Sequence, residues 1–140
     1  KGRWEPRTLP PVDPPANLDF VVASGAALPL VAGRASCIAA LNVLCAANDA
    51  LEMLADFGRV LQPGGMLLLS SPFWSDATAE GETPLAAGGA EYLRKALNPE
   101  FEVAVEQDQV PWLLRVAKRR WDVYLCHCLV ATRRRGVPVG

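Results

Sequence analysis

Much that would advertise a function is scarce in this sequence. Only 7% of residues are aromatic, and there is a single histidine, His127. No apolar run reaches the roughly 18–20 residues of a membrane span, and no secretory leader is visible. Fourteen basic residues against fifteen acidic ones give a formal net charge of −1, so no global field draws the chain to nucleic acid or membrane. The four cysteines, Cys37, Cys45, Cys126 and Cys128, show no CxxC spacing. Lying in apolar segments, they read as buried reduced thiols, which places the protein in a reducing compartment, cytoplasm or mitochondrion. On a strand, Cys126 and Cys128 face one way and His127 the other, so the three do not converge on one metal ion. No internal repeat is present.

What is there suffices for one domain. The 140 residues open at Lys1 rather than Met, as expected of a processed or excerpted piece. Residues 1–17 are dense in proline (Pro6, Pro10, Pro11, Pro14, Pro15), which predicts an extended arm, with a globular part over 18–140. Leu18–Ala23 reads as a short strand. Ser36–Leu44 is a continuous apolar run, predicting a strand buried on both faces. Asn48 is positioned as an N-cap with Asp49 in the first turn. The helix behind it places Leu51, Leu54, Ala55, Gly58 and Leu61 on one face. Pro63-Gly64-Gly65 stops it, and Met66–Ser70 is another apolar strand. Asp76–Gly89 reads as a loop, Ala90–Leu97 as a helix, Phe101–Val105 as a strand, Pro111–Trp121 as an amphipathic helix and Tyr124–Thr132 as the closing strand. Such alternation predicts an α/β fold with a mostly parallel sheet.

In open α/β sheets, ligands bind beyond the carboxyl ends of the strands. Here those ends are Ser24-Gly25, Asn42–Cys45 and Ser70–Phe73. Asn42 either orients a substrate or satisfies backbone groups of its own turn. Trp112 and Trp121 either wall a pocket or pack the core. His127 is expected as a satisfied structural histidine. Ser70 and Ser71 lack a GxSxG elbow and are not read as nucleophiles. Two basic clusters, Lys118-Arg119-Arg120 and Arg133-Arg134-Arg135, are the only hint of an anionic partner.

Three stretches together resemble the second half of a class I S-adenosylmethionine (SAM)-dependent methyltransferase. Phe20–Leu30 (FVVASGAALPL) is similar to the third strand and its LP-containing loop, and Ala39–Leu44 (AALNVL) to the fourth strand. Leu54–Pro72 (LADFGRVLQPGGMLLLSSP) is similar to the helix, PGG turn and fifth strand. The resemblance implies a partial Rossmann-like sheet of strands three to seven, the last antiparallel. It also implies SAM as cofactor of the intact fold, with Ser24, Gly25 and Leu44 on the cofactor side. A narrower likeness joins LNVLCAANDALEMLADFGRVLQP to the DREV-type protein-histidine methyltransferases, and VPWLLRVAKRRW to the methyltransferase domain of ovothiol-synthesis enzymes. Both act on an imidazole nitrogen. This likeness implies catalytic positions at Asn42 and Cys45, and substrate contacts at Phe73, Arg115 and Trp121.

The sequence also departs from that pattern. The family's glycine-rich GxGxG-like loop and its acidic ribose ligand have no counterpart. Ser24 stands where an adenine-contacting Asp is common, and Cys45 stands where the histidine-directed groups carry an Asp. In the family's sheet order, 3-2-1-4-5-7-6, loss of strands one and two orphans Leu18–Ala23 and leaves the fourth strand as an open edge. The expectation is therefore a methyltransferase-like domain inactive as this chain alone, or a non-catalytic structural subunit (a pseudoenzyme). Its open edge would be covered by an N-terminal half, a partner subunit or a second copy.

Overall fold

The computed structural model describes residues 15–47, 49–73 and 84–136. The elements run β1 (Ala35–Leu41), a 3-10 turn (Leu44–Ala46), α1 (Ala50–Val60), β2 (Leu61–Ser71), α2 (Pro84–Leu97), β3 (Phe101–Ala117) and β4 (Arg120–Arg133). They build one four-stranded sheet in the order β1-β2-β4-β3. β1 and β2 are parallel, joined through α1, while β4 runs antiparallel to both β2 and β3. This is the α/β architecture anticipated, with the last strand reversed and the order 4-5-7-6 of the resembled family.

Local chemistry explains the helices. Asp49 caps α1: its carboxylate accepts from the backbone N–H of Leu51 at 2.8 Å and of Glu52 at 3.1 Å. That satisfies two of the orphan donors of the first turn. Asn48, the expected cap, lies outside the described residues. Of the anticipated inward face, Leu54 and Gly58 are buried, Leu61 is buried but already belongs to β2, and Leu51 and Ala55 are exposed; Phe57 and Val60 complete the face. Gly58 lets the Glu100 carboxylate lie against the helix; a side chain there would have to displace it. The helix ends at Val60, before Pro63, and Gly64 takes a positive φ of 81° within the PGG turn.

Four expectations are corrected. Leu18–Ala23 forms no strand, because a strand needs a neighbour to share its backbone hydrogen bonds and none of the described residues pairs with it. β1 ends at Leu41, with Leu44 in the 3-10 turn, and it is covered on one face only. Of the expected loop Asp76–Gly89, residues 74–83 are outside the described set, while Pro84–Gly88 form the first turn of α2, kinked at Gly89 (φ 53°, ψ −138°). Finally, Pro111–Trp121 is no helix. It spans the end of β3, a turn at Lys118-Arg119 and the start of β4, paired as Pro111↔Leu125, Leu113↔Val123 and Arg115↔Trp121. Apolar residues on both faces of a strand mimic a helical stripe, and Pro111 is tolerated because β3 is a sheet edge.

The core lies on one side of the sheet. Ala40, Leu67, Leu69, Leu129 and Ala131 point from the strands toward Leu54 and Phe57 of α1 and Leu85, Leu93 and Leu97 of α2. Each buried leucine contributes roughly 2 kcal/mol of apolar transfer. At the amino end of β2, buried Arg133 donates to the Leu61 carbonyl. Among the described residues no helix is long and apolar enough to cross a membrane.

Candidate functional site

The parallel strands β1 and β2 deliver their carboxyl ends to the same end of the sheet, and Asn42 is the first residue beyond β1. Its φ of 56° is left-handed, a conformation that asparagine tolerates better than most residues. Ser70 of β2 fixes it from the side: the Asn42 backbone N–H donates to the Ser70 carbonyl at 2.9 Å, and the Ser70 hydroxyl donates to Asn42 Oδ1 at 2.8 Å. The Cys126 thiol of β4 reaches the same Oδ1 at 3.5 Å, and the Cys45 thiol donates to the Asn42 carbonyl at 3.4 Å. With its oxygen held by two donors, the carboxamide keeps its NH2 as the group able to meet a ligand.

At the same level of the sheet, Ser71 pairs with His127 across β2 and β4. The imidazole is buried, with Nε2 2.7 Å from Glu106 Oε1 and Nδ1 3.3 Å from Asp108 Oδ1. Arg94 of α2 holds Glu106 through two contacts, at 2.8 and 3.0 Å. Burial works to raise the Glu106 carboxyl, but the Arg94 and His127 bonds outweigh it and hold it below its usual range. Phe73 lies with its ring 5.6 Å from that of His127. Among the described residues, the non-glycine residues with positive φ are Asn42, Phe73 and Gln109. All three sit at this end, Gln109 inside a β3 irregularity between Gln107 and Val110. Strained backbone of this kind collects at functional sites.

The sequence-derived candidates divide. Asn42 and Cys45 are brought into contact, and Phe73 stands at the neighbouring strand end. Burial pushes the Cys45 thiol up, only partly offset by backbone N–H groups at Cys45 and Ala46; it stays a neutral thiol and a poor proton acceptor. Cys126 is likewise raised, by burial and then by the neighbouring thiols of Cys128 and Cys45. Arg115 and Trp121 meet each other, the guanidinium carbon 5.8 Å from the ring centroid, but at the hairpin tip. Trp121 and His127 are six positions apart on one strand, about 20 Å. Leu44 is 1% exposed and belongs to the core. Ser24 accepts from the Ala26 N–H at 3.3 Å within its own turn, and Gly25 lies against Met53. Ser70, Glu106, Asp108, Cys126 and His127 were missed as a group. Glu106 and Asp108 fall between segments read as separate elements, and only the true β3–β4 register brings them beside His127.

Of the cofactor-side positions, Gly25 lies beside the flexible end of the Met53 side chain, Leu44 is buried in the core, and the Ser24 hydroxyl accepts within its own turn.

Known proteins agree with this geometry at the level of fold. A family model described as a methyltransferase domain matches residues 7–69. A SAM-dependent methyltransferase of Methanosarcina mazei superposes with a TM-score of 0.56 at 13% identity, over 83% of this chain and 67% of the other. This is a partial class I methyltransferase fold. The same fold relates it to the cyclase SpnF (TM-score 0.57, 17% identity, 84% of this chain). It also relates the chain to the complex of the Haloferax volcanii Trm112 methyltransferase activator with its methyltransferase (TM-score 0.59, 13% identity, 86% of this chain). The chain spans 57% of SpnF and 64% of the Haloferax protein. No curated protein matches the sequence.

Proposed function

We propose that this chain is the acceptor-side part of a SAM-dependent methyltransferase-like domain and is not catalytic by itself. The observation that carries the reading is the coincidence of the 4-5-7-6 sheet order with Asn42 pinned at the carboxyl end of the fourth-strand equivalent, β1. In the complete fold, SAM would supply the electrophilic methyl group. This chain would orient the acceptor through the Asn42 carboxamide and the Phe73 face, and exclude water at the strand ends. The retained LNVL motif favours an imidazole-like acceptor. The cofactor side, and the cover for the edge of β1, would come from further polypeptide: an upstream portion, a partner subunit or a second copy.

The alternative, a structural subunit without chemistry, is favoured by Cys45. A proton leaving the acceptor nitrogen needs a base, and a thiol raised by burial is not one.

Calorimetric titration of SAM into the purified 140-residue chain tests the reading. The expected outcome is no binding in the micromolar range; micromolar binding would show that the chain carries a complete cofactor site and would overturn the partial-domain assignment. Restoring the family's carboxylate with Cys45→Asp, in a complex that does bind SAM, separates the two readings. Methylation of a histidine-containing peptide only after that change marks a methyltransferase that has lost its base, whereas none before or after it favours the structural subunit.

A further inference from the structure

We infer that the upper part of the β3–β4 hairpin is a docking arm for an acidic polypeptide segment in which carboxylates alternate with apolar side chains. The inference goes beyond the methyltransferase reading and does not depend on it.

The arm begins where β2 stops. β2 pairs with β4 as far as Ser71↔His127, whereas β3 and β4 stay paired from Val110↔Cys126 to Ala117↔Arg120. Two strands therefore run on alone past the carboxyl end of β2, for about 20 Å. They lie at the side of the sheet opposite to β1, so strands added beyond β1 in the order 3-2-1-4-5-7-6 leave the pair where it is. A ribbon of two strands is marginal in water, and this one is braced from within. The Trp112 and Tyr124 rings pack across it at 5.1 Å. Arg115 lies over the Trp121 ring and donates to the carbonyls of Ala117 and Lys118 at 3.3 and 3.1 Å, which fixes the turn.

Its two faces are unequal. Residues directly opposite one another share a face, which puts the Trp112–Tyr124 ring pair on one side with Leu114 and Asp122. The other side carries Leu113, Val123, Leu125 and Trp121. Each of these four is more than half exposed, and none belongs to the core. A contiguous apolar row of this kind, held out on a braced ribbon, marks a surface for a partner.

Charge at the tip decides what kind of partner. From Arg115 to Asp122 there are four cations, Arg115, Lys118, Arg119 and Arg120, against Asp122 alone. Asp122 bonds Arg120 at 3.1 Å, and Arg115 is engaged in the turn. Lys118 and Arg119 are exposed, with no ion pair among the described residues. An apolar row ending in unmatched positive charge complements a chain that brings carboxylates together with apolar side chains. Nucleic acid is a poorer match. Leu113, Val123 and Leu125 offer bases no ring to stack on, and the Trp121 ring already carries Arg115.

The test is titration of the 140-residue chain into a fluorescein-labelled twelve-residue peptide alternating glutamate with valine or leucine, followed by anisotropy. Saturable binding is expected, weakened by salt and lowered roughly tenfold or more by Lys118→Glu/Arg119→Glu and by Val123→Ser/Leu125→Ser. All four side chains are exposed, so the circular dichroism spectrum should be retained. Hydrogen exchange supplies a second measurement, with protection on peptide binding expected within residues 110–126. The proposal is overturned if the peptide does not bind, if a peptide with lysine in place of glutamate binds equally, or if the protection falls elsewhere. Tighter binding of a twelve-nucleotide oligouridylate, lost with the same substitutions, overturns it in favour of a nucleic-acid surface. Self-association of the chain lost with those substitutions overturns it in favour of a second copy.

Discussion

The two faces of this one sheet are made by the same strands and could hardly differ more. On one, Leu67, Leu69, Leu129 and Ala131 are each 3% exposed or less, packed beneath α1 and α2. On the other, the residues alternating with them are Met66, Leu68, Val130 and Thr132, and Met66 is 44% exposed. The edge strand repeats the contrast in miniature, with Ala40 buried and Leu41 60% exposed. Hydrophobic composition is nearly equal on both sides, so composition does not decide burial; the presence of a covering element does. The covered face is where folding free energy is gained; among the described residues no helix packs on the other.

The largest expected effect tests the covered side. Leu69→Ala removes a fully buried side chain at the centre of the cluster, where partial collapse leaves a cavity, and should cost about 2–5 kcal/mol in denaturant unfolding. A loss below about 1 kcal/mol would mean that the helices do not pack as described.

The contrast also explains what could be read from the sequence. The helix-covered β1–α1–β2 unit was legible because its signals are local: an apolar run, a polar helix start at Asn48-Asp49 (with Asp49, not Asn48, as the cap), a periodic face and a PGG turn. The expectation that β1 would be buried on both faces failed for a non-local reason. ASCIAAL carries no charge and a single hydroxyl, which reads as a strand covered on both faces, and no described residue supplies the second cover. The hairpin was missed for a related cause. Val110–Trp121 is apolar on both faces of a ribbon that projects beyond β2, so its period resembles that of a helix as much as that of a strand. Of the candidate site, Asn42 was singled out from its strand-end place and Cys45 from the family likeness alone, and the structure brings the two into contact. Glu106, Asp108 and His127 are a product of cross-strand register, which a single sequence does not display.

The seam between covered and uncovered regions has a smaller expected effect, and one with a pH signature. Asp56 ties α1 to the segment leading into β1, bonding Arg59 at 2.7 Å as well as the Leu28 N–H. Burial acts to raise its carboxyl, but the Arg59 bond and the Leu28 N–H hold it below the usual range. A carboxyl depressed in the folded state binds its proton more readily when unfolded. Its contribution is therefore present above the unfolded carboxyl pKa and is lost as pH falls through the lower folded value. Asp56→Asn should cost about 1 kcal/mol near neutral pH, and the difference from the parent chain should shrink on acidification below about pH 4. A difference that persists unchanged at low pH would show that the clamp works by shape and not by charge.

The smallest effect is the sharpest test of the comparison. Met66 is the partner of Cys37 on one side and Thr132 on the other, on the face that carries no helix. Met66→Lys places a charge there whose ammonium can stay in water while its stem lies along the strands. If the face is bare in the folded chain, unfolding stability should move by no more than about 0.5 kcal/mol, in contrast to Leu69→Ala three residues along the same strand. A large loss would mean that the face is covered in solution, because a charge buried without a partner costs several kcal/mol. Repeating the measurement over a range of protein concentrations then separates two kinds of cover. A cover from a second copy makes the loss grow with concentration, since only the parent chain gains from association. A cover contributed by the chain itself leaves the loss constant.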